Sequence, residues 1–169
     1  MAENDVKVIK NGGEVREYRA EDQTTASYRS ATIKAGEPVV VGGTGNNFAE
    51  IAGTGGPLVG THEFIGISAA ESDDTSSADG HVLVQTIKPA QTVLQGNANT
   101  STNVNTQTKI NALVNDWVTF DYDGTNFTID EDEGSDPNVH SLKIVDGDPV
   151  KGTLDVLVHA MASEAAPYY

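Results

Sequence analysis

Seven carboxylates fall within the twenty residues of "TFDYDGTNFTIDEDEGSDPN", Thr119 to Asn138. Carboxylates this dense can chelate calcium through several oxygens or share protons as an acid and base pair. The calcium template does not fit. With Asp121 as the first ligand Asp123 falls at position three, but the glycine falls at position four and Asn126 occupies the position that needs it. Apolar residues alternate on both sides of Asp123-Gly124-Thr125-Asn126, with Phe120 and Tyr122 before it and Phe127 and Ile129 after it. That spacing predicts a β-hairpin whose turn uses Asp and Gly, followed by a solvated acidic loop from Asp130 to Asp136. Acid hydrolysis by Asp121 with Asp123 or Asp130 would further require a cleft with an apolar wall to raise one pKa.

The other reactive side chains are dispersed. His62, His81, His140 and His159 stand singly on β-like runs, without the close pairing that a metal site shows in sequence, so no metal ligand set is expected. There is no Gly-x-Ser-x-Gly elbow and no cysteine, which removes thiolate chemistry and disulfides. "VVVGGTGNNF" follows an apolar strand, yet Phe48 stands where the dinucleotide motif needs its third glycine, and no glycine in the chain precedes a lysine. These patterns predict no catalytic residue, no cofactor and no enzymatic activity.

The elements that must carry these residues are short. From Ala31 onward, runs such as "TIKAGEPVVV", "FAEIAG", "LVGTHEFIGIS", "GHVLVQTIK", "QTVLQG", "WVTFDYD", "NFTID", "HSLKIV" and "TLDVLVHAM" are separated by Gly, Asn, Asp and Pro. They are rich in Val, Ile, Thr and Phe, and several alternate, as Leu154, Val156 and Val158 do against Asp155 and His159. Thr106 to Asn115, around "KINALVN", predicts one or two helical turns. The fold class is mostly β, a β-sandwich or a tulip-like β-barrel with little helix. Residues 31–169 read as one β-rich domain with a long polar loop over 97–108, "NANTSTNVNTQT".

Residues 1–30 differ, with scattered apolar residues, dense charge and a Gly12-Gly13 break. They read as an extended arm holding one short strand, Val6 to Lys10. All three arginines, Arg16, Arg19 and Arg29, lie in it, on a chain with 25 acidic and 10 basic residues and a net charge of -15. Such an arm would lie on an acidic or mixed partner, using Val6, Val8, Ile9, Arg16, Tyr18, Arg19 and Tyr28 as its contacts. The surplus acid disfavours direct binding to nucleic acid. The longest apolar run, Pro38 to Val41, is far short of a membrane span, and the start of the chain shows no secretory signal.

The arm followed by "ATIKAGEPVVV", "EFIGIS" and "DGHVLVQTIKPAQTVLQG" resembles the capsid decoration, or cementing, proteins of tailed bacteriophages, over roughly residues 30 to 98. The matching features are Ala35 to Pro38 (Ala-Gly-x-Pro), Phe64 to Ile67, and the glycine-led valine strand at Gly80 to Val84. The resemblance implies a virion protein, assembled in the host cytoplasm, that binds the outer face of an icosahedral shell. There it would stabilise the major capsid protein lattice as a homotrimer at three-fold and quasi-three-fold sites, touching neighbouring decoration subunits. The arm would supply the contacts, and its removal would leave a folded domain. The alternative is a phage tail, fibre or cell-surface β module that binds a host glycan or surface protein through Trp117, Tyr122, Tyr168 and Tyr169.

Overall fold

The computed structural model describes residues 6–20, 32–41, 49–51, 63–123, 125–132 and 141–159. Eleven strands and two short helices occupy them. The strands are β1 (Lys7–Lys10), β2 (Val15–Ala20), β3 (Pro38–Val41), β4 (Ala49–Ile51), β5 (Glu63–Ser68) and β6 (Gly80–Thr86). They continue with β7 (Val93–Asn97), β8 (Trp117–Tyr122), β9 (Phe127–Asp130), β10 (Leu142–Asp148) and β11 (Thr153–Val158). A 3-10 turn, Ser101–Asn103, and α1, Gln107–Leu113, lie between β7 and β8. The chain is mostly β, as expected, and each of the nine β-like runs contains one strand.

The first sheet has the order β1-β7-β11-β10-β8-β9, and all its neighbours are antiparallel. Strand alternation sorts its side chains cleanly. Val8, Leu94, Val156 and Ile144 stand opposite one another on the core face, and Val118, Leu142 and Val158 form a further row there. Lys10, Val93, Leu157, Lys143 and Trp117 make the matching row on the outer face. The far edge curls back. Ile129 of β9 bridges Ala98 in parallel, just beyond β7, and accepts a hydrogen bond from the Asn99 amide at 2.8 Å.

In the second sheet β2 pairs with β6, β6 with β5, β5 with β3 and β3 with β4, each antiparallel. A single parallel pair, Ala20 with Ala49, joins β2 to β4 and closes this five-stranded ring at one point. The two curled sheets pack as a β-sandwich around one core. Phe64 of β5 meets Phe120 of β8 edge-on at 5.8 Å, and both rings are fully buried. Each such apolar side chain contributes about 1.5–3 kcal/mol on leaving water.

Two glycines explain why the chain turns and packs as it does. Lys34 to Glu37 is a turn closed by the Glu37 amide on Lys34 O at 3.2 Å, with Gly36 at φ 89° in the third position, as a type II turn requires. The Ala-Gly-x-Pro segment is thus the turn that launches β3, and Pro38 starts that strand. Gly66 sits at φ 155°, and a Cβ there would lie 2.1 Å from Gln85 O. Only glycine lets β5 cross β6 that closely.

The extended arm expected over residues 1–30 is corrected over its described part. Val6 is fully buried, β1 is an edge strand of the first sheet, and β2 makes a six-residue ladder with β6 in the second. Neither strand needs an apolar pattern of its own, because each completes a face that other strands have built. The polar loop expected over residues 97–108 is also corrected. Asn97 ends β7, Ser101–Asn103 form the 3-10 turn, and α1 begins at Gln107, capped by the Thr106 side chain.

Candidate functional site

The acidic segment divides into two structural devices. Tyr122 pairs with Phe127 across the expected hairpin, and the Asp123 carboxylate accepts from the Thr125 and Asn126 amides at 2.7 and 2.8 Å. The Asn126 and Thr125 bonds hold the carboxyl of Asp123 below its ordinary pKa, since they favour the ionised form. Asp121 faces Thr128 and Asp130 faces Thr119, so both carboxylates lie on one face of the hairpin. Among the described residues no group of three or more His, Asp and Glu side chains converges as a metal site.

Glu131 overturns the expectation of a fully solvated loop. Its side chain is buried, and it accepts from the Asn99 and Thr100 amides, both at 2.9 Å, and from Asn103 Nδ2 at 3.3 Å. Asp132 adds bonds from Thr100 Oγ1 and Asn103 Nδ2, both at 2.8 Å. Burial pushes the Glu131 pKa up, and the hydrogen bonds it accepts offset that shift only in part. The polar tract after β7 is therefore clasped by the acidic one, an ordering role that uses both low-complexity segments.

A concave site lies elsewhere, at the mouth of the curled second sheet. Its cavity is about 320 Å3, the scale of a small binding pocket. The walls are Tyr18 of β2, Phe64 and Ile65 of β5, and Ile87 and Pro89 beyond β6. Glu14, Arg16 and Lys88 stand at its rim. Backbone pairing fixes its shape, because Gly13 N donates to Thr86 O at 2.6 Å, Thr86 N to Glu14 O at 3.1 Å, and Ile87 N to Ile65 O at 3.2 Å. Arg16 donates through Nε to Glu14 Oε1 at 2.8 Å, and its Nη2 contacts the same oxygen. Lys88 makes no ion pair among the described residues.

The outer face of the β2–β6 ladder adjoins this mouth. Val15 pairs with Gln85 and Glu17 with Leu83, which makes Val15 and Leu83 diagonal neighbours on one surface. They are 54% and 42% exposed, among the few large apolar side chains that the described residues present to water. Arg19 and His81 pair on the same face, and Arg19 Nη2 reaches Asp79 Oδ2 at 3.2 Å.

The residues expected to form the arm contacts are thus scattered by the fold. Val6 is in the core and Val8 half-buried against it, so neither offers a contact surface. Ile9 is 43% exposed on the edge strand β1. Arg16 and Tyr18 line the cavity, Arg19 lies on the adjacent face, and Tyr28 is outside the described residues. Lys88, Phe64, Ile87 and Leu83 were missed. Only the exposed Leu83 inside an otherwise alternating strand left a trace in the sequence.

The aromatic platform of the glycan alternative is not assembled by the described residues. Trp117 meets His159 edge-on at 4.7 Å and has Lys143 Nζ 5.6 Å from a ring centroid. Tyr122, five residues along the same strand and hence on its opposite face, packs on Phe127 at 5.0 Å. Tyr168 and Tyr169 lie outside the described residues. No family model, curated protein or solved structure matches the chain. No helix among the described residues is long and apolar enough to cross a membrane.

Proposed function

We propose that this is a non-enzymatic attachment protein of a virion. It binds the outer surface of an icosahedral phage shell, contacts the major capsid protein and stabilises the lattice as a homotrimer at three-fold and quasi-three-fold positions, beside further copies of itself. The observation that carries the reading is the partition of charge and apolar exposure. On a chain of net charge -15, the outer face of the β2–β6 ladder carries Arg19 with the exposed Val15 and Leu83, and Arg16 and Lys88 stand on its other side at the cavity, with Glu14, Glu17 and Asp79 interleaved among them. A locally charge-balanced surface with exposed apolar side chains, on an otherwise strongly acidic body, fits docking on a mixed protein surface, with the rest of the molecule left in solvent. The resemblance of residues 30 to 98 to decoration proteins names the kind of surface.

Binding only to the assembled lattice would stabilise it by mass action, and a trimer would multiply weak contacts. The reading places the contacts on the β2 rim and the neighbouring β6 instead of on a detached arm. The test is cosedimentation of the purified protein with empty, expanded shells made from the major capsid protein encoded nearest to it. Saturable binding with a raised shell melting temperature is expected. Absence of binding to expanded shells would refute it.

A further inference from the structure

The attachment reading leaves open what enters the cavity at the mouth of the second sheet. We propose that it is an anchor pocket for an extended segment of the partner protein, one that presents an aromatic or large aliphatic side chain flanked by acidic residues. The proposal rests on that reading for the source of the segment and on the cavity itself for its chemistry.

Three observations fix the chemistry. Apolar side chains of Tyr18, Ile65, Ile87 and Pro89 share the lining about equally with polar atoms, and beneath them Phe64 is fully buried and packs on Phe120 at 5.8 Å. The backbone donors around the cavity are already committed: Gly13, Thr86 and Ile87 amides all serve the strand ladder. A phosphate or a small polar metabolite would therefore meet no nest of free amides, whereas an apolar side chain needs none. The rim then supplies the sign. Lys88 is exposed and makes no ion pair among the described residues, and Arg16, although held by Glu14, retains further N–H groups. Two cations against one carboxylate favour an acidic neighbour beside the buried side chain. An apolar anchor within a pocket and charge at its edge is the usual distribution of energy at a protein interface.

The pocket is tested on the full chain with isoleucine-methyl labelling and three N-acetylated, C-amidated pentapeptides, Asp-Asp-X-Asp-Asp with X as Phe, Leu or Gly. The Phe and Leu peptides should shift the methyl signals of Ile65 and Ile87 saturably, and the Gly peptide should not. Lys88→Glu, at an exposed position that spares the core, should weaken the Phe peptide about tenfold, the equivalent of about 1.4 kcal/mol. Equal responses to all three peptides, shifts confined to other isoleucines, or no shift at all would overturn the pocket. Shell binding separates the two ideas. Shells bound equally well by Lys88→Glu and by an Ile87→Trp variant that fills the cavity would remove the pocket and leave attachment standing. Peptide binding without shell binding would do the reverse.

Discussion

Replacing Glu131 measures the clasp between the two low-complexity tracts. In Glu131→Ala the Thr100 amide loses its acceptor, and the Asn99 amide and Asn103 Nδ2 each lose one of two, Asn99 keeping Ile129 O and Asn103 keeping Asp132. Hydrogen bonds to a charged acceptor are each worth about 1.5–3 kcal/mol. Asn99 is exposed and Thr100 half-exposed, so water replaces part of that, and the variant also escapes the cost of burying the carboxylate. A net loss of about 2–3 kcal/mol remains, which for a chain of this size lowers Tm by roughly 4–12 °C. Glu131→Gln keeps one oxygen but turns an NH2 toward amide donors, and should lose about 1–2 kcal/mol.

The pH dependence has a definite sign. Because the folded pKa of Glu131 is raised, the folded state holds this proton more tightly than the unfolded chain does. Its contribution is fully present below the unfolded value and is lost as pH rises through the folded one. The deficit of Glu131→Gln relative to the parent should therefore widen as pH falls from neutral toward 4.5, the ordinary value for glutamate. Urea denaturation across that range, with amide spectra of Asn99 and Thr100, reads both effects. A deficit below about 0.5 kcal/mol for Glu131→Ala, or one that narrows on acidification, would refute the clasp as described.

Gly66→Ala places a Cβ 2.1 Å from Gln85 O at φ 155°, and should cost about 3 kcal/mol or more in thermal denaturation. Removal of residues 1–20 strips β2 from β6 and uncovers Val82 and Val84, now 1% and 0% exposed. Circular dichroism should show loss of cooperative unfolding, whereas a detached arm would leave the melt unchanged. Asp123→Ala breaks the turn bonds to Thr125 and Asn126, and because the Asp123 pKa is lowered, its stabilising effect is present above the ordinary value of 3.8 and fades as pH falls through the folded one. The stability gap between parent and variant should close below that pH.

Local periodicity determined much of this molecule. The alternation in Leu154, Val156 and Val158 placed β11, the Asp-Gly turn placed the β8–β9 hairpin, and Thr106 marked the start of α1. These features depend on residues close in sequence, whose backbone preferences and side-chain spacing act at short range. Composition likewise fixed an acidic, cysteine-free chain with no long apolar segment. The sequence could not show that Val6 is core, because its burial depends on a sheet whose other strands begin at Val93. It could not separate Glu131 from six other carboxylates in the same stretch, since only the return of Asn99, Thr100 and Asn103 encloses it. The cavity is equally a product of distance, bringing Arg16 and Tyr18 beside Phe64 and Lys88 through strand pairs that join residues far apart in the chain. Short-range physics chose the strands; long-range pairing decided which of their side chains were left to meet a partner.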